Sequence, residues 1–180
     1  MKPIGFLLNT KNGLSGDVGL YYDYILAANG LFIRAESPSI KATVCVGSAE
    51  VRGLVPIQGK VELTHEKIPR YLYDLAFSVL FDKLEHERYL AVTWQEEYRL
   101  RYPHQIGGAG SVKYEVVQDT VLDIHSHGGK GAFFSGTDDK DEQGLKLSMV
   151  FGKLETEPEY DLRIGVYGYY AKLSFEEVFE

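Results

Sequence analysis

The sequence predicts an α/β fold of the α+β kind: a mixed β-sheet core flanked by helices, behind a β-rich N-terminal extension. Three observations predict it. Residues 4–63 are mostly short apolar runs broken by turn residues, the pattern of strands. One later segment, beginning at Pro69, carries apolar residues at helical spacing. Strand-length apolar runs then return at Tyr89–Trp94, Val121–Ile124 and Leu147–Leu154.

At 180 residues the chain is long enough for one domain with an elaboration and a real core. The predicted division is an extension over residues 1–60, packed on a core domain over 61–180. No stretch approaches the ~20 apolar residues of a membrane span. The start, Met-Lys-Pro-Ile-Gly-Phe-Leu-Leu-Asn-Thr, turns polar too soon for a signal peptide, so a cytoplasmic location and no membrane partner are expected. Cys45 is the single cysteine, which excludes an internal disulfide and leaves any metal site to histidines and carboxylates. A net charge of −7 excludes a nucleic-acid backbone as the main partner, since phosphate binding needs clustered Lys and Arg.

Taken in order, Tyr22–Leu26 and Leu31–Ala35 are strands flanking Ala-Ala-Asn-Gly, and Asn29-Gly30 is a hairpin-turn signal. Ala42–Val46 and Val51–Val55 are two more predicted strands. Thirteen tyrosines and nine phenylalanines suit sheet surfaces, and without interleaved basic clusters they make no platform for bases. Val61–Leu63 leads into the helix, where Pro69 is tolerated in the first turn and Leu72, Leu75, Ala76, Val79, Leu80 and Leu84 form one apolar face. Residues 96–111 read as a loop near the site, too irregular in glycine spacing for nucleotide binding. Ser111–Val117 is predicted as a strand. Leu147–Leu154 and Leu162–Leu173 close the sheet around a Glu-Thr-Glu-Pro turn.

Residues 120–138, Thr-Val-Leu-Asp-Ile-His-Ser-His-Gly-Gly-Lys-Gly-Ala-Phe-Phe-Ser-Gly-Thr-Asp, carry the chemistry. In a strand, His125 and His127 share a face and Ser126 takes the other. Two imidazoles from a strand end and Asp138 carried back by a loop make three ligands for one Zn²⁺, with a fourth position open to water. The plainer readings are surface histidines, and an N-cap pair at Ser135 and Asp138 opening a helix. Asp123 shares the histidine face, either as an acceptor for an imidazole N–H or as a solvated or capping carboxylate. The acidic run 138–142 fits a helix N-terminus.

The pattern H-S-H-x7-S-x2-D resembles the signature of the JAMM (JAB1/MPN/Mov34) metalloprotease family, with all four positions filled. The resemblance implies a JAB1/MPN-like fold, zinc as cofactor on His125, His127 and Asp138, and an oxyanion-stabilising role for Ser135. It also implies a glutamate as general acid/base. The family order of strand, long helix, then glutamate before the next strand puts Glu87 in that place. Glu85 keeps the same face, and Glu50 stands in the family-like wording Glu-Val-x-Gly-Leu but precedes the helix, so both remain alternatives. The family's proline after the second histidine is Gly128 here, which is expected to loosen the loop.

A narrower resemblance, to the PRTRC system protein A group of the Prok-JAB branch, rests on residues 98–105, 123–128 and 132–142. The wider resemblance covers about residues 60–175. It implies a zinc-dependent peptidase or isopeptidase whose partner and substrate is the C-terminal tail of a ubiquitin-like or sulfur-carrier protein. A catalytically silent MPN-type scaffold is the alternative, and hydrolysis of a small conjugate on a carrier protein is another.

Overall fold

Alternating burial organises the N-terminal residues into a sheet. β1 (Lys2–Thr10), β2 (Gly13–Asp17), β3 (Gly19–Ala27), β4 (Gly30–Glu36), β5 (Ile40–Ser48) and β6 (Lys60–Leu63) pair in the order β2-β1-β3-β4-β5-β6. β1 and β3 run parallel and the other neighbours antiparallel. The computed structural model describes residues 2–82, 86–107 and 112–180. Leu84 of the predicted helix, the alternative base Glu85, the glycines 108 and 110 and Ser111 lie outside them.

By contact the chain forms two compact units. One is Met1–His65 with Gln143–Leu145 and Ile164–Ala171, the other Glu66–Glu142 with Lys146–Arg163 and Lys172–Glu180. The first holds a core of Leu7, Ile25, Ala27 and Phe32, with Ile57 packed on it. The predicted hairpin at Asn29-Gly30 is present, and Gly30 is obligatory there. Its φ is 144°, and a Cβ would meet the Gly47 carbonyl oxygen at 2.3 Å.

The predicted strand Val51–Val55 does not form. Single backbone bonds, Val51 N–H to Ala28 and Val55 N–H to Asn9, tie that segment down as an irregular strap. The apolar residues signalled burial, and among the described residues no strand pairs with them.

In the second unit α1 (Arg70–Phe81) begins after Pro69, whose ψ of 132° is non-helical. Leu72, Ala76 and Leu80 are buried, and Tyr73 and Phe77 contact Phe151 at ring distances of 5.5 and 5.9 Å. Leu75, predicted on that face, is 47% exposed, because the buried stripe advances by fours.

Beyond α1 lie β7 (Tyr89–Gln95), β8 (Glu97–Arg101), β9 (Gln105–Gly107), β10 (Val112–Tyr114), β11 (Thr120–Ser126), α2 (Gly136–Asp141), β12 (Leu145–Gly152), β13 (Glu159–Val166), β14 (Tyr169–Lys172) and α3 (Phe175–Val178). The main sheet has the order β14-β13-β12-β11-β7-β8. The segment read as a loop over 96–111 contains β8, in which Tyr98 is buried between exposed Glu97 and Arg99. The predicted strand 111–117 is shorter, and among the described residues β10 pairs with β9 alone. The predicted strand Leu162–Leu173 is a hairpin: Tyr167 and Gly168 have φ of 49° and 90°, as a turn of type I′ requires.

β11 pairs antiparallel with β7 and parallel with β12. A parallel pair needs a crossover connection, and residues 127–144 supply it. That crossover is where the candidate site is built. Among the described residues, no helix is long and apolar enough to cross a membrane.

Candidate metal centre

β11 delivers the histidines. The strand ends at Ser126, and His127 prolongs its pairing with β12 by one residue, its N–H donating to Phe151 O at 2.8 Å. Ser126 turns to the opposite face, where it is buried. Its N–H donates to Arg88 O at 3.0 Å, and its Oγ accepts the Arg88 N–H at 3.3 Å. The register that sets His125 opposite Tyr89 therefore continues through Ser126 and Arg88, and places Glu87 across from His127. Cross-strand partners share a face.

One donor atom each from His125, His127 and Asp138 lies within 4.8 Å of the others. The two imidazole rings are 5.1 Å apart, and His125 Nε2 is 3.4 Å from Asp138 Oδ1. His125 Nε2 is buried with no hydrogen-bond partner. Burial pushes its pKa down to about 4, against the opposing pull of the Asp138 carboxylate, so the ring is neutral at pH 7. His127 Nδ1 lies 3.3 Å from Gly131 O, a partner that places the proton on Nδ1 and leaves Nε2 with the lone pair.

Asp138 is held from behind. The Ser135 side chain accepts the Thr137 and Asp138 N–H groups, and the Asp138 carboxylate accepts the Ser135 N–H, a reciprocal cap on α2. Two imidazoles and one carboxylate, with His127 and Asp138 fixed by their outer contacts, are a donor set that fits Zn²⁺.

Residues 85–164 match the family of prokaryotic homologs of the JAB domain. Over that segment the sequence is similar to the Prok-JAB family. No curated protein matches the chain.

The three donors line a cavity of about 360 Å³ together with Glu87, Ser135, Tyr89, Tyr114 and Lys130. Glu87 has a side chain only 12% exposed, with Lys130 Nζ 3.9 Å from its Oε1. Burial pushes its pKa up, and His127 and Lys130 partly oppose that. Glu50 is exposed in the other unit and is not among the residues lining this cavity.

Two expectations change. Asp123 is neither an imidazole acceptor nor solvated: it is buried, accepts the Tyr89 hydroxyl and pairs with Lys146. Gly128 does not loosen the loop. Its φ of 59° is closed to proline, and its carbonyl accepts the Leu154 N–H at 3.1 Å. Lys153 N–H to Lys130 O at 2.6 Å and Ala132 N–H to Glu159 at 2.8 Å fasten the same loop.

Four supporting residues carry no signal readable in sequence. Gly152 ends β12 where a Cβ would meet Ala132 N at 2.2 Å; only its place at the end of an apolar run hints at this. The Gln105 side chain accepts the Tyr89 N–H and donates to the Tyr89 carbonyl, both at 2.8 Å. Arg163 and Glu142 form a buried ion pair, joined by contacts far apart in sequence.

Proposed function

We propose that this protein is a zinc-dependent peptidase or isopeptidase acting on the C-terminal tail of a ubiquitin-like or sulfur-carrier protein. Its likeness to the PRTRC system protein A group belongs to the same proposal. The observation that carries it is the convergence of His125, His127 and Asp138 with Glu87 in one cavity. A Zn²⁺ on those three donors would acidify a water and polarise a carbonyl.

Glu87 then serves as general base and acid. Its burial raises its proton affinity above that of a free glutamate, which suits a group that takes a proton from water and returns it to the leaving amine. Ser135 accepts two backbone amides through Oγ, each at 3.3 Å. Both lone pairs are thus engaged, and the O–H hydrogen is left to donate. From the cavity wall it meets the oxyanion of the tetrahedral intermediate.

The substrate reading draws on the walls. Tyr114 of β10 stacks on Tyr89 with ring centroids 3.6 Å apart, and Gly128, Gly129 and Gly131 follow His127. A cleft flanked by these glycines suits an extended tail with little side-chain bulk, adding as a strand.

A fusion of a ubiquitin-like protein ending in Gly-Gly to a reporter tests the activity, as linear and as isopeptide-linked substrate. Cleavage by the zinc-loaded wild type and none by His127→Ala is expected. A silent scaffold would bind the tailed protein and leave both substrates whole.

A further inference from the structure

α2 has nothing apolar with which to hold itself in place. It spans six residues, Gly-Thr-Asp-Asp-Lys-Asp, whereas an isolated helix needs roughly 12–15 residues even to be marginal in water. Yet it carries Asp138, the one candidate ligand that does not come from the β11 strand end. The Ser135 cap fixes its first turn only. A further attachment is Arg163, which reaches it from β13, two strands away from β11.

Arg163 Nη2 lies 2.8 Å from Asp139 Oδ1 and 2.8 Å from Glu142 Oε2, and its Nε donates to Glu142 Oε2 at 2.9 Å. The guanidinium carbon sits 3.7 Å from the Phe134 ring centroid, and that ring is 6.1 Å from the ring of His125. Arg163 and Glu142 are both buried.

We propose that Arg163 is a positioning residue for the metal centre: by gripping Asp139 and Glu142 it fixes α2 where Asp138 completes the set begun by His125 and His127. The inference rests on the metal reading above. Asp139 and Glu142 follow Asp138 by one and four positions and are i, i+3 to each other, so they neighbour one another on the helix surface. One planar guanidinium holding both fixes the rotation of the helix as well as its distance. A lysine supplies the charge without the fork or the stacking plane.

Titration with Zn²⁺ and with Co²⁺ tests this on wild type, Arg163→Lys, Arg163→Met, the double variant Arg163→Met/Glu142→Gln, and His127→Ala. Affinity is expected to fall about 10–100-fold in the Arg163 variants, the usual effect of losing a group that orients a ligand. The visible Co²⁺ spectrum should change as the carboxylate is lost, while far-UV circular dichroism stays as in wild type. Arg163→Lys keeps a charge beside Glu142, and the double variant removes both charges, so neither leaves a buried carboxylate unpaired. Wild-type affinity and an unchanged spectrum in these two variants would overturn the proposal. A wild type that binds no metal, or His127→Ala binding as tightly as wild type, overturns the metal reading and this inference with it.

Discussion

The carboxylate of Asp138 serves two masters: its Oδ2 accepts the Ser135 N–H at 2.6 Å, and its Oδ1 stands 3.4 Å from His125 Nε2. Helix capping and presentation to the histidines are therefore one arrangement. The cap aims the carboxylate.

The two roles separate by substitution. Asp138→Asn keeps an oxygen that accepts the Ser135 amide and removes the charge. Its unfolding midpoint in urea should stay near wild type while metal affinity falls by at least the ~10–100-fold seen for supporting residues. Asp138→Ala should lose affinity as well and a further ~1 kcal/mol of stability with the cap. An Asn variant that holds metal as wild type does would exclude Asp138 as a ligand.

Glu87→Gln should retain metal and lose hydrolysis by about 10²–10⁴-fold, the contribution of a general acid/base. Burial raises the Glu87 pKa, so at pH 7 the folded state bears the cost of a desolvated charge that Gln lacks. The variant's melting temperature should then equal or exceed that of wild type in metal-free protein. Glu50→Gln should keep both metal and activity. The opposite pattern, with Glu50→Gln inactive and Glu87→Gln cleaving, would reassign the base.

Stability should depend on pH through His125. Its folded pKa is held at about 4 by burial, below the 6.5 of a free imidazole. Between those values the unfolded chain binds a proton that the folded chain excludes. Stability of the metal-free protein therefore falls as pH drops from 6.5 toward 4, and His125 adds no dependence above that window. Urea unfolding of chelator-treated wild type and His125→Gln across the window checks it. Parallel stability curves would contradict the assignment, and a shallower fall in the variant is expected.

Gly152→Ala tests the loop behind His127. A Cβ there would overlap Ala132 N at 2.2 Å and Gly131 C at 2.3 Å, backbone atoms that cannot rotate away. We expect a loss of about 1–3 kcal/mol, as for overpacking, together with weaker metal binding, because Gly131 O is the partner of His127 Nδ1. Calorimetry and metal competition on the same sample measure both. Full metal affinity in a destabilised variant would uncouple the loop from the site.

What could be read from the sequence was whatever is written locally. His125 and His127 at i, i+2, Ser135 with Asp138 at i+3, and the stripe Leu72, Ala76, Leu80 all follow from the period of a single element. β8 also had its alternation, in Tyr98 and Leu100, but the surrounding charges obscured it. Long-range pairing was not legible: nothing near Asp123 announces Tyr89 and Lys146, nor anything near Glu142 its Arg163. The misread strand Val51–Val55 has strand-like residues, and its backbone finds only isolated partners across the fold. The hairpin inside Leu162–Leu173 was hidden because Tyr167 occupies a left-handed position usually marked by Asn or Gly.

Gln105 has a consequence for how molecules of this protein meet one another. Arg88 directs its backbone carbonyl toward β11, and β8 begins its pairing with β7 only at Ala91, opposite Arg101. At Tyr89 the sheet would present an amide and a carbonyl to any passing strand, the template on which chains aggregate. The Gln105 carboxamide, bound to both groups, imitates a single residue of that visiting strand and fills the place. A strand that docked along this edge would first have to displace a side chain that makes the same two hydrogen bonds.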